Sequence, residues 1–134
     1  MKKILAVALC VVALSGCTPH PTTSKEPAVV VTKTRPLSTP EQKVIQDSVR
    51  QELKDPQSAT FKMLPINEDG APGTYCGMVN AKNSFGGYVG DTPFMATVTR
   101  RAGEVVSSFA MLPDSSQFGR TILLDMCAKK GYLL

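Results

Sequence analysis

Tryptophan is absent from these 134 residues, and aromatic side chains make up only 6% of them. That argues against a stacking platform for bases or sugar rings. Histidine occurs once, as His20, outside the part of the chain that reads as folded. Ser-His and Cys-His nucleophilic machinery therefore has no base in the domain. No phosphate-binding glycine loop, dinucleotide fingerprint or HExxH sequence occurs. Strong charge is missing too. The formal net charge is +4, and Lys2 and Lys3 lie in a segment read below as removed, which leaves +2. A nucleic-acid partner needs a denser basic face than that. No apolar run is long enough to span a bilayer. The longest, residues 4–14, would reach about 16 Å as a helix, against a hydrocarbon core of about 30 Å.

What is present begins with that run. Two lysines, an apolar stretch and small residues ahead of a cysteine make the pattern of a secretory signal. Leu14, Ser15, Gly16 and Cys17 resemble the lipobox, the cleavage site of bacterial lipoprotein signal peptides. The resemblance implies a thioether-linked diacylglycerol on Cys17, cleavage before it and acylation of the new amine. Residues 1–16 are then a signal peptide. Two or more acyl chains hold a protein stably on a membrane, where a single chain does not. Thr18, rather than an aspartate, follows the cysteine; in the family that favours the outer membrane, facing the periplasm. The expected partners are the membrane, through the lipid, and an envelope protein. No nucleic acid and no cofactor are expected.

Residues 17–38 read as the lipidated cysteine and a spacer rich in proline and threonine. Proline at this density favours extended chain. Some 20 residues at about 3.1 Å each could hold a domain up to roughly 60 Å from the lipid. Residues 28–31 are a short apolar patch within the spacer, suited to an edge strand or to a contact.

The domain reads as residues 39–134. Thr39 as N-cap, Pro40 at the first helical position and Gln42 at the third form a capping pattern. Ile45, Val49 and Leu53 make one apolar stripe, and Asp55 before Pro56 should end the helix. Strands are predicted at 59–64, 75–81, 94–99 and 104–111. Arg100 and Arg101 sit in the turn of a hairpin, where they read as solvated charges. A last helix starts near Asp114 or Ser115 and stops at Gly131. Phe118, Ile122 and Met126 form one row on it, and Leu123 and Cys127 the adjacent row. The fold class is α+β: a small antiparallel sheet of three or four strands, with an N-terminal and a C-terminal helix packed on one face.

Of the four cysteines, Cys10 leaves with the signal and Cys17 carries lipid. Cys76 and Cys127 remain as an even pair in an oxidising compartment, and a disulfide between them is predicted. A metal site lacks further ligands near these two sulfurs. A redox role is weakly supported, because catalytic pairs are usually close in sequence.

The most distinctive stretch is 76–90, CGMVNAKNSFGGYVG. It resembles a segment of small secreted proteins and lipoproteins of proteobacteria; the resemblance spans roughly Asp55 to Phe94, including Asp55, Pro56 and Ser58, and implies a family without a particular activity. Gly86 and Gly87 permit positive φ. Such a loop can present Asn80, Lys82, Asn83 and Tyr88 together as a recognition surface. The plainer reading is a bulged strand and wide turn, with the asparagines satisfying backbone groups and Tyr88 packed on the sheet. The carboxylates Asp47, Glu52, Asp55, Asp91, Asp114 and Asp125 show no spacing that marks a catalytic pair, and Ser84 with Lys82 has no supporting motif. The expectation is a lipid-anchored, non-enzymatic binding domain. Two alternatives are an accessory lipoprotein of a secretion or conjugation apparatus (or an exclusion factor), and a small cell-wall enzyme or enzyme inhibitor.

Overall fold

The structure is a computed structural model, described here for residues 31, 33–69 and 73–134. The signal segment, Cys17, His20 and most of the spacer lie outside the described residues. The fold is α+β, with two helices flanking antiparallel sheet. In chain order the elements are β1 (Thr34–Arg35), α1 (Thr39–Gln51), a 3-10 turn (Pro56–Ser58), β2 (Thr60–Lys62) and β3 (Ile66–Asn67). Then come β4 (Thr74–Asn80), β5 (Thr92–Arg101), β6 (Glu104–Met111) and α2 (Gln117–Lys129). The main sheet runs β2-β4-β5-β6, and β1 pairs with β3 in a separate two-stranded ribbon.

The spacer ends sooner than its composition suggests. From Lys33 onward the chain is already part of the fold. Lys33 donates its N–H to the Asp69 carboxylate, Thr34 pairs with Asn67, and Leu37 is buried. Sequence pattern could not show a two-residue strand whose partner is itself two residues long.

Helix α1 starts one position earlier than the capping pattern suggests. Ser38, not Thr39, is the N-cap, and Glu41, not Gln42, stands at N3. The Ser38 hydroxyl accepts from the Glu41 N–H, and the Glu41 carboxylate accepts from the Ser38 N–H at 2.9 Å. That carboxylate decides the frame, because it is also engaged by three other donors. Arg35 forks onto both its oxygens at 2.6 and 2.7 Å, and the Val105 N–H reaches it at 2.9 Å. Gln42 instead donates to the Leu37 carbonyl. Glu41 is only 1% exposed, so four hydrogen bonds to a buried charge offset its desolvation. The guanidinium of Arg35 holds its carboxyl well below the usual carboxylate range, against the opposing effect of burial.

The two faces of the sheet are covered unequally, with Phe109 and Met111 of β6 left exposed on one of them. Along β4, Tyr75, Gly77 and Val79 point to one face and Cys76 and Met78 to the other. Helix α1 lies on the first face. Ile45 and Val49 are fully buried there, and the Ser48 hydroxyl donates to that of Ser108 at 2.9 Å. Cys76 points the opposite way and is bonded to Cys127 of α2. The N-terminal and C-terminal helices thus flank the sheet, as expected. The period of a strand sets this: residues 75 and 76 cannot serve the same side.

The core is built from Tyr75, Phe94, Ile45, Ile66, Val49 and Val79. Phe94 meets Phe61 edge-on and Tyr75 at a tilt. Gly77 makes room for this cluster. A Cβ there would stand 2.7 Å from the Phe94 ring and 3.2 Å from the Lys62 carbonyl. After α2, Gly131 turns at φ +83° and Tyr132 folds back against Tyr75. The Asn67 side chain donates to the Lys130 carbonyl, and the Asn67 N–H donates to the Tyr132 hydroxyl.

The structure decides between the two rows of α2 and changes one expectation in the hairpin. On α2, Leu123 and Cys127 are buried, whereas Phe118 is 75% exposed and Ile122 and Met126 lie at the surface. A helix bonded to the sheet through Cys127 can press only one narrow stripe against it. In the β5–β6 hairpin, Arg101 is exposed but Arg100 is not free in solvent. Its guanidinium donates to the Asn67 carbonyl at 2.7 Å. The turn itself is made by Ala102 (φ 50°) and Gly103 (φ 85°), the two-residue geometry that suits strand twist.

Candidate functional site

The segment 80–90 forms a small closed loop at the C-terminal end of β4. Its asparagines are its frame. The Asn80 side chain accepts from the Gly90 N–H, and the Asn83 side chain accepts from the Phe85 and Gly87 N–H groups. The Asn83 N–H donates to the Gly87 carbonyl, and Lys82 bridges Tyr88 as a strand pair. Gly86 and Gly90 take positive φ, at +83° and +84°. Gly87 does not: an added Cβ would meet only Asn83, at ordinary contact distance. Asn80, Asn83 and Gly86 thus hold the loop's shape.

The side chains this frame displays are apolar and aromatic. Phe85 is 97% exposed, and Tyr88 and Val89 are more than half exposed. Tyr88 does not pack on the sheet; its hydroxyl reaches the Ser58 carbonyl at 3.4 Å. The Lys82 ammonium lies 5.6 Å from the centre of the Tyr88 ring, a cation–π contact. The Lys82 N–H donates to the Ser58 hydroxyl at 2.8 Å, which ties the loop to the 3-10 turn.

The loop is one wall of a cavity of about 700 Å³, within the usual size for a small-molecule site. Its floor is apolar: Leu53, Val79, Ala81, Val89, Leu112 and Pro113. Helix α1 contributes the chain just past its C-terminus, and α2 its N-terminal turn. Glu52, Lys54, Lys82, Asp114 and Arg120 supply charge around it. Asp114 is committed: its carboxylate accepts from both the N–H and the hydroxyl of Ser116, the N-cap of α2, and is lowered below its usual range by those bonds. No sequence pattern announces this cavity. Its walls come from four segments separated along the chain, and only Val79, Ala81, Lys82, Asn83 and Val89 belong to the stretch singled out by composition.

Among the described carboxylates, Glu52 and Asp114 line the cavity with Lys82, while Asp47, Asp55, Asp91 and Asp125 are engaged elsewhere. Asp91, the nearest in sequence to the loop, is ion-paired with Lys62 of β2. Asp47 is held by Lys43 and Arg50, and Asp125 by Lys129. Asp55 caps the 3-10 turn. Cys76 and Cys127 are bonded to each other and fully buried, and they lie in the core rather than at the cavity. Cys17 lies outside the described residues. Among the described residues no helix is long and apolar enough to cross a membrane.

Comparison with protein-family models, with curated proteins and with solved structures found no match.

Proposed function

We propose that this is a lipid-anchored binding domain of the bacterial envelope, held at the outer membrane through Cys17, that captures an envelope component at the cavity beside loop 80–90. One observation carries the reading: a hydrogen-bonded loop that displays Phe85, Tyr88 and Val89 to solvent also supplies Lys82, Asn83 and Val89 to the lining of a largely apolar cavity. Exposed aromatic side chains on a rigid frame lose little conformational freedom when covered, which is why they serve as anchors in interfaces. The signal pattern ending in Cys17 supports the membrane location.

The test has two arms. In membrane fractionation the unaltered protein should sediment with envelopes, and Cys17→Ser should leave them. A Cys17→Ser protein that stays in the membrane pellet would remove the anchor from this reading. In envelope crosslinking, deleting residues 84–90 should abolish capture of the partner. Unchanged capture would remove the loop.

A further inference from the structure

The cavity carries more positive charge than its acids neutralise. Lys54, Lys82 and Arg120 lie on its walls, against Glu52 and Asp114. None of the three cations makes an ion pair among the described residues, although seven other pairs are formed there. Lys82 and Arg120 are half-buried rather than splayed into solvent. Asp114 already serves Ser116. The positive end of α2 lies on the same wall, since Ser116 and Gln117 line it. Three cations facing two carboxylates leave one positive charge over an apolar floor.

From this we infer that the cavity takes an apolar chain ending in a single carboxylate. The aliphatic part would cover Leu53, Val79 and Leu112, and the carboxylate would lie between Lys82 and Arg120. A guanidinium offers a carboxylate two parallel donors, and a charge-assisted bond in a partly desolvated cleft is worth more than one in water. A dianion such as a phosphate monoester is less well matched to a net charge of one. The inference rests on the binding reading above and specifies its ligand. A fatty acid and the free C-terminus of an apolar peptide share this chemistry.

The test uses the acylated mature protein in detergent, with isotope-labelled backbone amides. Octanoate, octanol, an N-acetylated apolar tripeptide and its C-terminal amide are titrated separately. Octanoate or the tripeptide acid should shift the amides of Val79, Ala81 and Leu112, and whichever binds more tightly identifies the source. Lys82→Gln and Arg120→Gln should each weaken that acid about tenfold, as expected for loss of a charge-assisted bond, with unchanged thermal unfolding. Octanol and the amide should bind at least tenfold more weakly than their acids. Equal binding of acid and neutral analogue, or binding insensitive to both substitutions, overturns the inference. If neither acid binds while the 84–90 deletion still abolishes crosslinking, the ligand class falls and the binding reading stands.

Discussion

Glu41 is the residue on which most of the molecule's polar order converges. It closes the N-terminus of α1, takes both guanidinium donors of Arg35 and covers the Val105 N–H on the edge strand β6. Glu41→Ala leaves those donors without their acceptor and should cost about 3–5 kcal/mol in urea denaturation, the range for breaking one side of a buried pair. The same carboxylate sets an acid limit. Its pKa in the fold is depressed below an unfolded value of about 4.3, so its contribution is complete above that pH and is lost as pH falls beneath it. Stability measured from pH 6 down to pH 2 should fall, and Glu41→Gln, already weaker at neutral pH, should fall less steeply. Gly77 has the opposite sensitivity. It is intolerant of added volume, and Gly77→Ala should cost about 1–3 kcal/mol, because the Phe94 ring and the Lys62 carbonyl would both have to give. A thermal melt reads that directly. Neither residue stood out in the sequence. A glutamate at position 41 looks like any first-turn acid, and its burial follows from Arg35, six residues earlier, in a stretch whose composition reads as spacer.

Helix α2 shows what periodicity carries and what it leaves open. Spacing finds the helix and both its rows, but not which row the sheet covers. The disulfide to Cys76 settles that in favour of Leu123 and Cys127. Leu123→Ala should cost about 2–5 kcal/mol, whereas Phe118→Ser and Ile122→Ser should stay within about 0.5 kcal/mol. Equal losses in parallel denaturation curves would mean that the exposed row is covered in solution. The disulfide joins residues 51 apart, and chain entropy assigns such a closure about 4 kcal/mol. Replacing both cysteines by alanine should lower the unfolding free energy by at least that amount, and hydrogen exchange should quicken first in α2. Elements were legible where apolar residues alternate over several positions, as in β4, β5, β6 and both helices. They were not legible in β1 and β3, each two residues long, where the pairing depends on ion pairs between Lys33, Arg35 and Glu68. The cavity was invisible for a related reason: it belongs to the meeting of elements and to no single one.

At the scale of the whole molecule, the described fold already takes in Val31, which lies beside Gly131, and Lys33, whose N–H is bonded to Asp69. A chain beginning at Thr39 loses Arg35, Leu37 and the Ser38 cap, and should be about 3 kcal/mol or more less stable in urea denaturation. The two ends of this unit meet. Thr34 pairs with Asn67, and Asn67 in turn holds Lys130 and Tyr132. The Gly103 turn lies at the same pole, where its carbonyl accepts from Arg35. The cavity is at the other pole, beyond the C-terminus of α1, roughly 20 Å away along a helix of 13 residues. A pull on the chain ahead of Val31 would meet the pole where Val31 lies beside Gly131 and where Lys33 and Arg35 hold their carboxylates, about the length of α1 from the cavity mouth.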